Sequence, residues 1–159
     1  MTETAALLDE LTRQENLLLF RSFSNDDAIG LGLHMLEAAR SQSMTLAIDI
    51  TRGQHQLFHA ALPGTRPDHD HWIARKRETV YRFGRSTYFM AVDCRLKGQD
   101  LATRYGLDPL RFVAAGGGFP VNVAGVGLVG SVTVSGMPEA TDHRFVVGCI
   151  AAFTGISLE

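Results

Sequence analysis

The sequence predicts an α+β fold within a single domain spanning residues 1–159. Two stretches, residues 44–51 and 126–135, alternate apolar with polar or small side chains at the period of two that is typical of half-buried strands. Helical patterns lie at both ends of the chain and between these strands. Antiparallel strands mixed with helices in this way predict a sheet that is sandwiched between helices.

The N-terminal region predicts a helix. Thr4 is placed to cap a helix over residues 5–14, and we interpret residues 1–16 as a helix that is peripheral or lies at a subunit interface. The apolar residues 17–20 either continue that helix or form a short buried strand. Periodicity alone does not separate the two for so short a run.

The next elements follow from caps and turns. Ser24 precedes a second helix in which Gly30 and Gly32 each cost about 1 kcal/mol relative to Ala, so we expect a close backbone neighbour there. The Arg52-Gly53 turn predicts a hairpin after the first strand. Two further long helices are predicted, one starting at Asp68 or Asp70 and ending at Gly84, and one starting near Glu139 and ending at Gly155.

Composition restricts the function classes. A net charge of −2 argues against nucleic acid as the main partner, and the longest uncharged C-terminal run, residues 145–158, is too short and too rich in Gly and Ala to span a membrane. The N-terminus lacks a signal-peptide pattern. Cys94 and Cys149 are far apart and outside any CxxC motif, so we expect free thiols in a reducing, cytoplasmic setting.

Two motifs that are often linked to nucleotides or hydrolysis have simpler interpretations here. Gly125, Gly127 and Gly130 form a literal GxGxxG, but a β-branched strand follows, whereas a dinucleotide fingerprint requires a helix there. We therefore expect Gly130 to lie where a helix packs on the sheet. Ser135 lacks the first glycine of a GxSxG nucleophile elbow, which argues against a serine hydrolase.

The histidines do not predict a metal site. His55 and His59 share a strand face but lie about 13 Å apart at strand spacing. His69 and His71 diverge if they belong to a helix, and we interpret them as part of a solvated helix N-terminus, with a weak or subunit-shared metal site as the alternative. No set of four ligands with zinc-site spacing is present.

The predicted central helix carries a basic run, Arg75-Lys76-Arg77. Such a run usually forms a solvated helix face, but Arg75 or Lys76 could instead meet an anion or an acidic partner. Trp72, the only tryptophan, is expected to be a core anchor rather than a platform for a cofactor.

The second alternating strand has a face of small side chains. These residues leave a shallow, hydroxyl-lined surface that either Gly148 and Ala152 of the last helix fill or a ligand occupies. They are Gly127, Ser131, Thr133 and Ser135. Next to this strand lies the glycine triplet Gly116–Gly118, which predicts a backbone that closely approaches a subunit, a helix or a bound ligand.

The sequence from the glycine triplet onward, AAGGGFPVNVAGVGLVGSVTVSGMPEATDHRFVV, resembles the C-terminal half of GlcG/HbpS-like domains, which are often called haem-degrading domains. The shared elements are the glycine triplet with Pro120, a strand ending in Ser135-Gly136, and Asp142 near the start of the last helix. Two upstream segments, residues 48–65 and 68–90, are similar to a functionally uncharacterised branch of small proteins in that superfamily.

The resemblance implies a profilin-like fold with a five-stranded antiparallel sheet between helices, and a homo-oligomer that is a dimer or larger. It also implies haem or a related tetrapyrrole as a possible ligand, although no histidine here is matched to an iron ligand. Fold is carried over more safely than chemistry.

Three hypotheses for function follow. The first is a cytoplasmic oligomeric domain that binds a small molecule or a protein partner, with enzymatic activity left open. The second is haem binding with possible degradation, and the third is a purely structural oligomer. We expect the ligand-binding residues to be Gly116, Gly117, Gly118, Ser135, Asp142, His143, Arg75 and Lys76.

Overall fold

The computed structural model describes residues 2–159, which form six helices and four strands. In chain order these are α1 (Glu3–Leu17), α2 (Asn25–Ser41), β1 (Ala47–Arg52), β2 (His55–Ala61), α3 (Pro67–Phe83), α4 (Thr87–Leu96), α5 (Leu101–Tyr105), β3 (Gly118–Val123), β4 (Gly127–Ser135) and α6 (Glu139–Thr154). Over these residues, no helix combines the length and the apolar character needed to cross a membrane.

The α+β prediction is confirmed, but the expected number of strands is wrong. The strands within residues 2–159 form one antiparallel sheet of four, in the order β2-β1-β4-β3. At the edge beside β3, where a fifth strand would lie, only Phe20 forms a single parallel bridge to Val123. Helix α1 ends at Leu17, so residues 18–20 neither continue the helix nor form a strand beyond this single bridge.

One predicted helix start shifts by two residues, and another is confirmed. The side chain of Thr2, rather than Thr4, caps α1 by accepting from Ala5 N. Ser24 caps α2 in a full capping box with Asp27, as the sequence predicts.

One face of the sheet carries the main apolar core. Helices α2 and α6 cover this face, and their apolar side chains pack on those of β1, β3 and β4. Fully buried representatives are Leu31, Met35, Ile48, Ile50, Phe119, Val132, Val134 and Ile150. This face is where burial of apolar area stabilises the fold.

The opposite, hydroxyl-lined face of the sheet is covered by α3. Thr51 Oγ1 lies 2.7 Å from Tyr81 Oη of α3 and 2.6 Å from Ser131 Oγ of β4. The expectation that Gly148 and Ala152 fill this face is wrong, because α6 lies on the other side of the sheet. Both faces of β1 and of the second half of β4 are therefore buried, although their alternation predicted half-buried strands.

Glycines in α2 accommodate aromatic rings, not the backbone that the sequence led us to expect. A Cβ on Gly32 would overlap the ring of Phe58 on β2, whereas one on Gly30 would lie 3.4 Å from the ring of Phe153 on α6. Gly130 is also explained differently: a Cβ there would collide with the carbonyl oxygen of Thr51, so its close neighbour is the backbone of the paired strand β1.

Helix α1 is anchored to the start of α4 by a buried carboxylate. Glu15 accepts from Arg85 Nε at 3.0 Å and from the backbone N–H of Ser86 at 2.9 Å. The two cysteines are buried free thiols, and burial raises the pKa of Cys149 to about 11. A thiol with so high a pKa is a poor nucleophile at neutral pH.

Candidate functional site

A polar cavity lies where the first turns of α3 and α6 meet the end of β4. Its volume is about 290 Å³, and we call it the Lys76 cavity. Its polar and aromatic lining side chains are Asp68, His69, Trp72, Lys76, Ser135, Glu139 and Asp142. The glycine loop before β3 closes one side through Ala115 and Gly116.

Lys76 is the buried cation of this cavity. Its side chain is 4% exposed, and its Nζ donates to the carbonyl oxygen of Val134 at 2.9 Å and to Asp142 Oδ2 at 3.4 Å. Residue 76 lies on the side of α3 that packs against the sheet. From there its four-carbon side chain extends to the end of β4. Lysines are almost never buried without a partner, so the burial of Lys76 depends on these two acceptors.

Asp142 is the buried anion of the same cavity. Its side chain is 1% exposed, and Oδ1 accepts from the backbone N–H of Met137 at 3.1 Å. Burial raises the pKa of Asp142 to about 6, against the opposing effect of the Lys76 charge. Burial likewise lowers the pKa of Lys76, although Asp142 opposes that shift. Both groups are therefore less fully ionised near neutral pH than they would be in water.

The glycine triplet closely approaches the protein's own chain. A Cβ on Gly117 would lie 2.5 Å from the carbonyl oxygen of Val134 and 2.7 Å from Lys76 Nζ, and Gly117 has φ of +135°. A Cβ on Gly116 would collide with the carbonyl oxygen of Glu139, and one on Gly118 would lie 2.9 Å from Thr87 Cγ2. Gly117 thus leaves the space in which the lysine amine sits.

The structure brings together half of the residues that the sequence nominated for ligand binding. Gly116, Ser135, Lys76 and Asp142 line the cavity. Gly117 lies directly behind the lysine amine and does not line the cavity. The other three, Gly118, Arg75 and His143, lie elsewhere.

Arg75 points away from its neighbour Lys76. Its guanidinium lies over the ring of Trp72, with Cζ 4.9 Å from the ring centroid, and donates to the carbonyl oxygen of Pro109 at 2.9 Å. Trp72 is 37% exposed, so its predicted role as a core anchor is wrong, and Ile73 is buried instead. Arg77 points in a third direction, to the buried carboxylate of Asp49 at 3.0 Å. Successive residues of the basic run therefore serve three separate contacts.

His143 lies on the side of α6 that faces α1. Its Nε2 donates to Gln14 Oε1 at 2.8 Å, and its ring lies 5.1 Å from that of Tyr88 between centroids. It is 2% exposed, and burial, together with the nearby charge of Arg144, lowers its pKa to about 4. His143, which the sequence nominated for ligand binding, is thus a buried, neutral histidine that packs against α1.

The DHDH segment begins α3, as predicted for a helix N-terminus. Nδ1 of His69 accepts from the backbone N–H of Arg66 at 2.9 Å, and Asp70 Oδ1 lies 2.8 Å from His59 Nε2 on β2. Throughout residues 2–159, groups of three or more His, Cys, Asp or Glu side chains that could hold a metal ion are absent.

Several side chains of the cavity were not nominated for ligand binding from the sequence: Asp68, His69, Trp72, Met137 and Glu139. Asp68 and His69 lie in the first turn of α3, Trp72 in its second turn, and Glu139 in the first turn of α6, so predicting the cavity required knowing that these helix starts converge. One available signal was overlooked: only two of the 15 basic side chains are lysines, Lys76 and Lys97, so lysine is the exception in this chain.

Comparison with known proteins gives consistent results. Residues 23–151 match the family described as haem-degrading protein HbpS-like. A UPF0303 protein of Streptomyces coelicolor is 51% identical over 152 residues, covering 96% of each chain. The crystal structure of the Ybr137w protein superimposes with a TM-score of 0.86 at 27% identity, covering 93% of this chain and 88% of that one.

A more distant structure is that of the PduOC–haem complex. It has a TM-score of 0.68 at 18% identity, covering 87% of this chain and 99% of the other, and supports the fold alone. The family match covers most of the sequence, and the relative from Streptomyces coelicolor aligns over nearly the whole length of both chains. The chain therefore belongs to the HbpS-like haem-degrading protein family and is a homologue of the UPF0303 proteins.

Proposed function

We propose that the protein is a small-ligand-binding domain and that the Lys76 cavity is its ligand site. The observation that carries this proposal is a lysine, 4% exposed, whose ammonium and carboxylate partner both border a cavity. Burying two charges is costly even when they are paired, and replacing such a pair with apolar residues often stabilises a protein. A role in ligand binding would explain why the protein keeps the buried Lys76–Asp142 pair.

The size and chemistry of the cavity restrict the ligand. Pockets for drug-sized molecules measure about 300–1,000 Å³, so a cavity of about 290 Å³ fits a compact molecule. Its walls offer carboxylate and hydroxyl oxygens, one amine, the imidazole of His69 and the partly exposed ring of Trp72. This combination favours a small polar organic ligand that forms several hydrogen bonds.

Fluorescence provides a direct test, because Trp72 is the only tryptophan and borders the cavity. The purified protein is titrated with panels of small sugars and carbonyl compounds, amines and organic acids. We expect a saturable change in Trp72 emission with one class, and loss of that change in Lys76→Met. The matched control is Lys97→Met, which removes the other lysine, on the surface. The proposal fails if every class gives only a linear, non-saturating response.

Haem or tetrapyrrole binding is a second candidate, favoured by the family match and by the PduOC–haem complex. The Lys76 cavity does not fit a haem, since four linked pyrrole rings need a larger pocket. A haem would have to bind elsewhere on the surface, where His59 has a 33% exposed side chain and His143 is inaccessible.

A haem titration followed by absorbance tests this candidate. Saturable binding with a sharp Soret band in the wild type, lost in His59→Ala and kept in His143→Ala, would support it. Broad, non-saturating absorbance in all three proteins would eliminate it.

Self-association forms a further part of the proposal. Apolar side chains are exposed along one face of α2 and at the end of α6, where Leu33 is 55%, Ile29 is 41% and Phe153 is 37% exposed. Exposed apolar clusters often mark interaction surfaces. Light scattering is expected to give a mass above that of one chain, and Leu33→Asp is expected to reduce it. A monomeric wild type would refute this part.

A further inference from the structure

We infer that the amine of Lys76 is a nucleophile that forms an imine with a small, neutral hydroxyaldehyde or hydroxyketone bound in the Lys76 cavity. The inference rests on the proposed ligand site and adds to it the class of ligand and a covalent step. Three observations carry it: the choice of residue, the position of the nitrogen, and the charge of the cavity walls.

The choice of residue is the first observation. Of the 15 basic side chains, 13 are arginines, and the two lysines are Lys76, which is buried, and Lys97, whose side chain is 51% exposed. Arginine is always charged and is the usual choice for a purely structural buried ion pair. Lysine alone can lose its proton and become a nucleophile. The buried position is thus occupied by lysine, which, unlike arginine, can form an imine.

The position of the nitrogen is the second observation. A neutral amine has two N–H groups and one lone pair, and Lys76 Nζ has two acceptors, the carbonyl oxygen of Val134 and Asp142 Oδ2. Once both N–H groups are used, the lone pair remains available. Gly117, behind the nitrogen, allows the amine to occupy this position at the cavity, since a Cβ there would lie 2.7 Å from Nζ. Burial also lowers the pKa of Lys76, which increases the neutral fraction.

The charge of the cavity walls is the third observation. Three carboxylates, those of Asp68, Glu139 and Asp142, line the cavity together with the Lys76 amine and the His69 ring. Lys76 pairs with Asp142, and Arg95 pairs with Glu139. Because both cations are already paired, the lining has no surplus fixed positive charge that would attract a carboxylate or phosphate ligand. The carboxylate oxygens accept hydrogen bonds from hydroxyl groups, and the exposed ring of Trp72 can cover the carbon skeleton of a small polyol. A neutral carbonyl compound with hydroxyl groups fits all of these features.

The covalent step balances without an oxidant or reductant. The Nζ lone pair attacks the carbonyl carbon, a C–N bond forms, and the π bond of the carbonyl breaks to leave an alkoxide. One proton passes from nitrogen to this oxygen, which gives a neutral carbinolamine. Its hydroxyl group then takes a proton from the carboxylic acid of Asp142 and leaves as water, while nitrogen loses its remaining proton to the carboxylate. Burial raises the pKa of Asp142 to about 6, so that a fraction of it can donate at neutral pH.

The experiment traps the imine. Wild-type protein is incubated with dihydroxyacetone and cyanoborohydride, and adducts are located by peptide mapping. Lys97 serves as the internal control in the same molecule. We expect Lys76 to be modified about tenfold faster than Lys97, with a rate that saturates with dihydroxyacetone concentration. Equal rates at the two lysines, or modification of Lys97 alone, would overturn the inference.

Two variants and one further readout separate the possible failures. Asp142→Asn is expected to slow trapping at Lys76 without changing it at Lys97, and Lys76→Arg, checked for folding by circular dichroism, removes the fast site. Trp72 fluorescence is recorded with dihydroxyacetone and without the reductant. A saturable fluorescence change with no Lys76 adduct would refute the imine and keep the ligand site. If neither signal appears with dihydroxyacetone, the inference fails, and the panels of other ligand classes then decide the ligand site.

Discussion

Protonation of His143 is expected to make the protein sensitive to mild acid. The ring is buried between α6, α4 and β3, near Tyr88 and Phe119, and its pKa falls from an ordinary 6.5 to about 4. The unfolded chain therefore binds a proton more readily than the folded one between these values. Stability from this group is complete above about pH 6.5 and is lost as the pH falls toward 4.

The magnitude follows from the shift. A pKa lowered from 6.5 to about 4 corresponds to roughly 2.5 kcal/mol of stability lost between pH 7.5 and pH 4.5. Urea unfolding at these two pH values measures the loss, which we compare between the wild type and His143→Gln, whose amide does not titrate. The variant is expected to lose roughly 2.5 kcal/mol less than the wild type over this interval.

The comparison uses the difference between the two pH values, so a uniform destabilisation by the substitution does not affect it. Asp142 and the other carboxyl groups titrate in both proteins, so their contributions to the loss of stability cancel in the comparison. Equal losses in the wild type and in His143→Gln would refute the reasoning, because they would mean that His143 is already solvated or charged in the folded state.

The remaining predictions concern stability and are measured by urea unfolding. Gly117→Ala is expected to cost about 2–4 kcal/mol, because its Cβ would collide with backbone and with a buried amine, whereas Gly125→Ala, also at positive φ but in open space, should cost about 1 kcal/mol. Gly30→Ala is expected to raise the free energy of unfolding by up to about 1 kcal/mol. Gly32→Ala should be the less stable of the two variants, because only its Cβ overlaps an aromatic ring, and the reverse order would contradict this reasoning. Glu15→Ala should cost about 2 kcal/mol, since two donors at the start of α4 lose their acceptor, and an unchanged midpoint would refute that anchoring role.

Local patterns predicted most of the elements. Alternation identified β1 and β4, Ser24 identified the start of α2, and Gly84 and Gly155 marked the ends of α3 and α6. These signals depend on neighbours within a few residues, which the sequence displays directly.

Packing between distant elements was not predictable in the same way. Alternation cannot show whether the second face of a strand is solvated or covered by a helix, so the burial of Ser131 and Thr133 under α3 was missed. The strand β3 was not recognised from residue patterns alone, because it begins in the glycine triplet and contains Pro120. Its position at an edge of the sheet explains how a proline is tolerated.

The candidate site was predicted in part for the same reason. Lys76 and Asp142 were both nominated, but 66 residues separate them, and nothing local indicated that they form a pair. His143 was chosen because histidine titrates near neutral pH, and its burial against α1 removes that property. The type of a residue indicates which reactions it can take part in, but its burial and its partners decide whether it can do so in the folded protein.

The two faces of the sheet give the fold two kinds of temperature dependence. The layer formed by α2 and α6 is stabilised mainly by apolar burial. Exposing this apolar surface on unfolding gives a large increase in heat capacity, so the stabilisation that its burial provides weakens on cooling. The layer formed by α3 depends more on hydrogen bonds and ion pairs, such as Thr51 with Tyr81 and Asp49 with Arg77. Cold should therefore loosen α2 and α6 before it loosens α3, and the Lys76–Asp142 pair, which joins α3 to α6 across the end of β4, links the two layers.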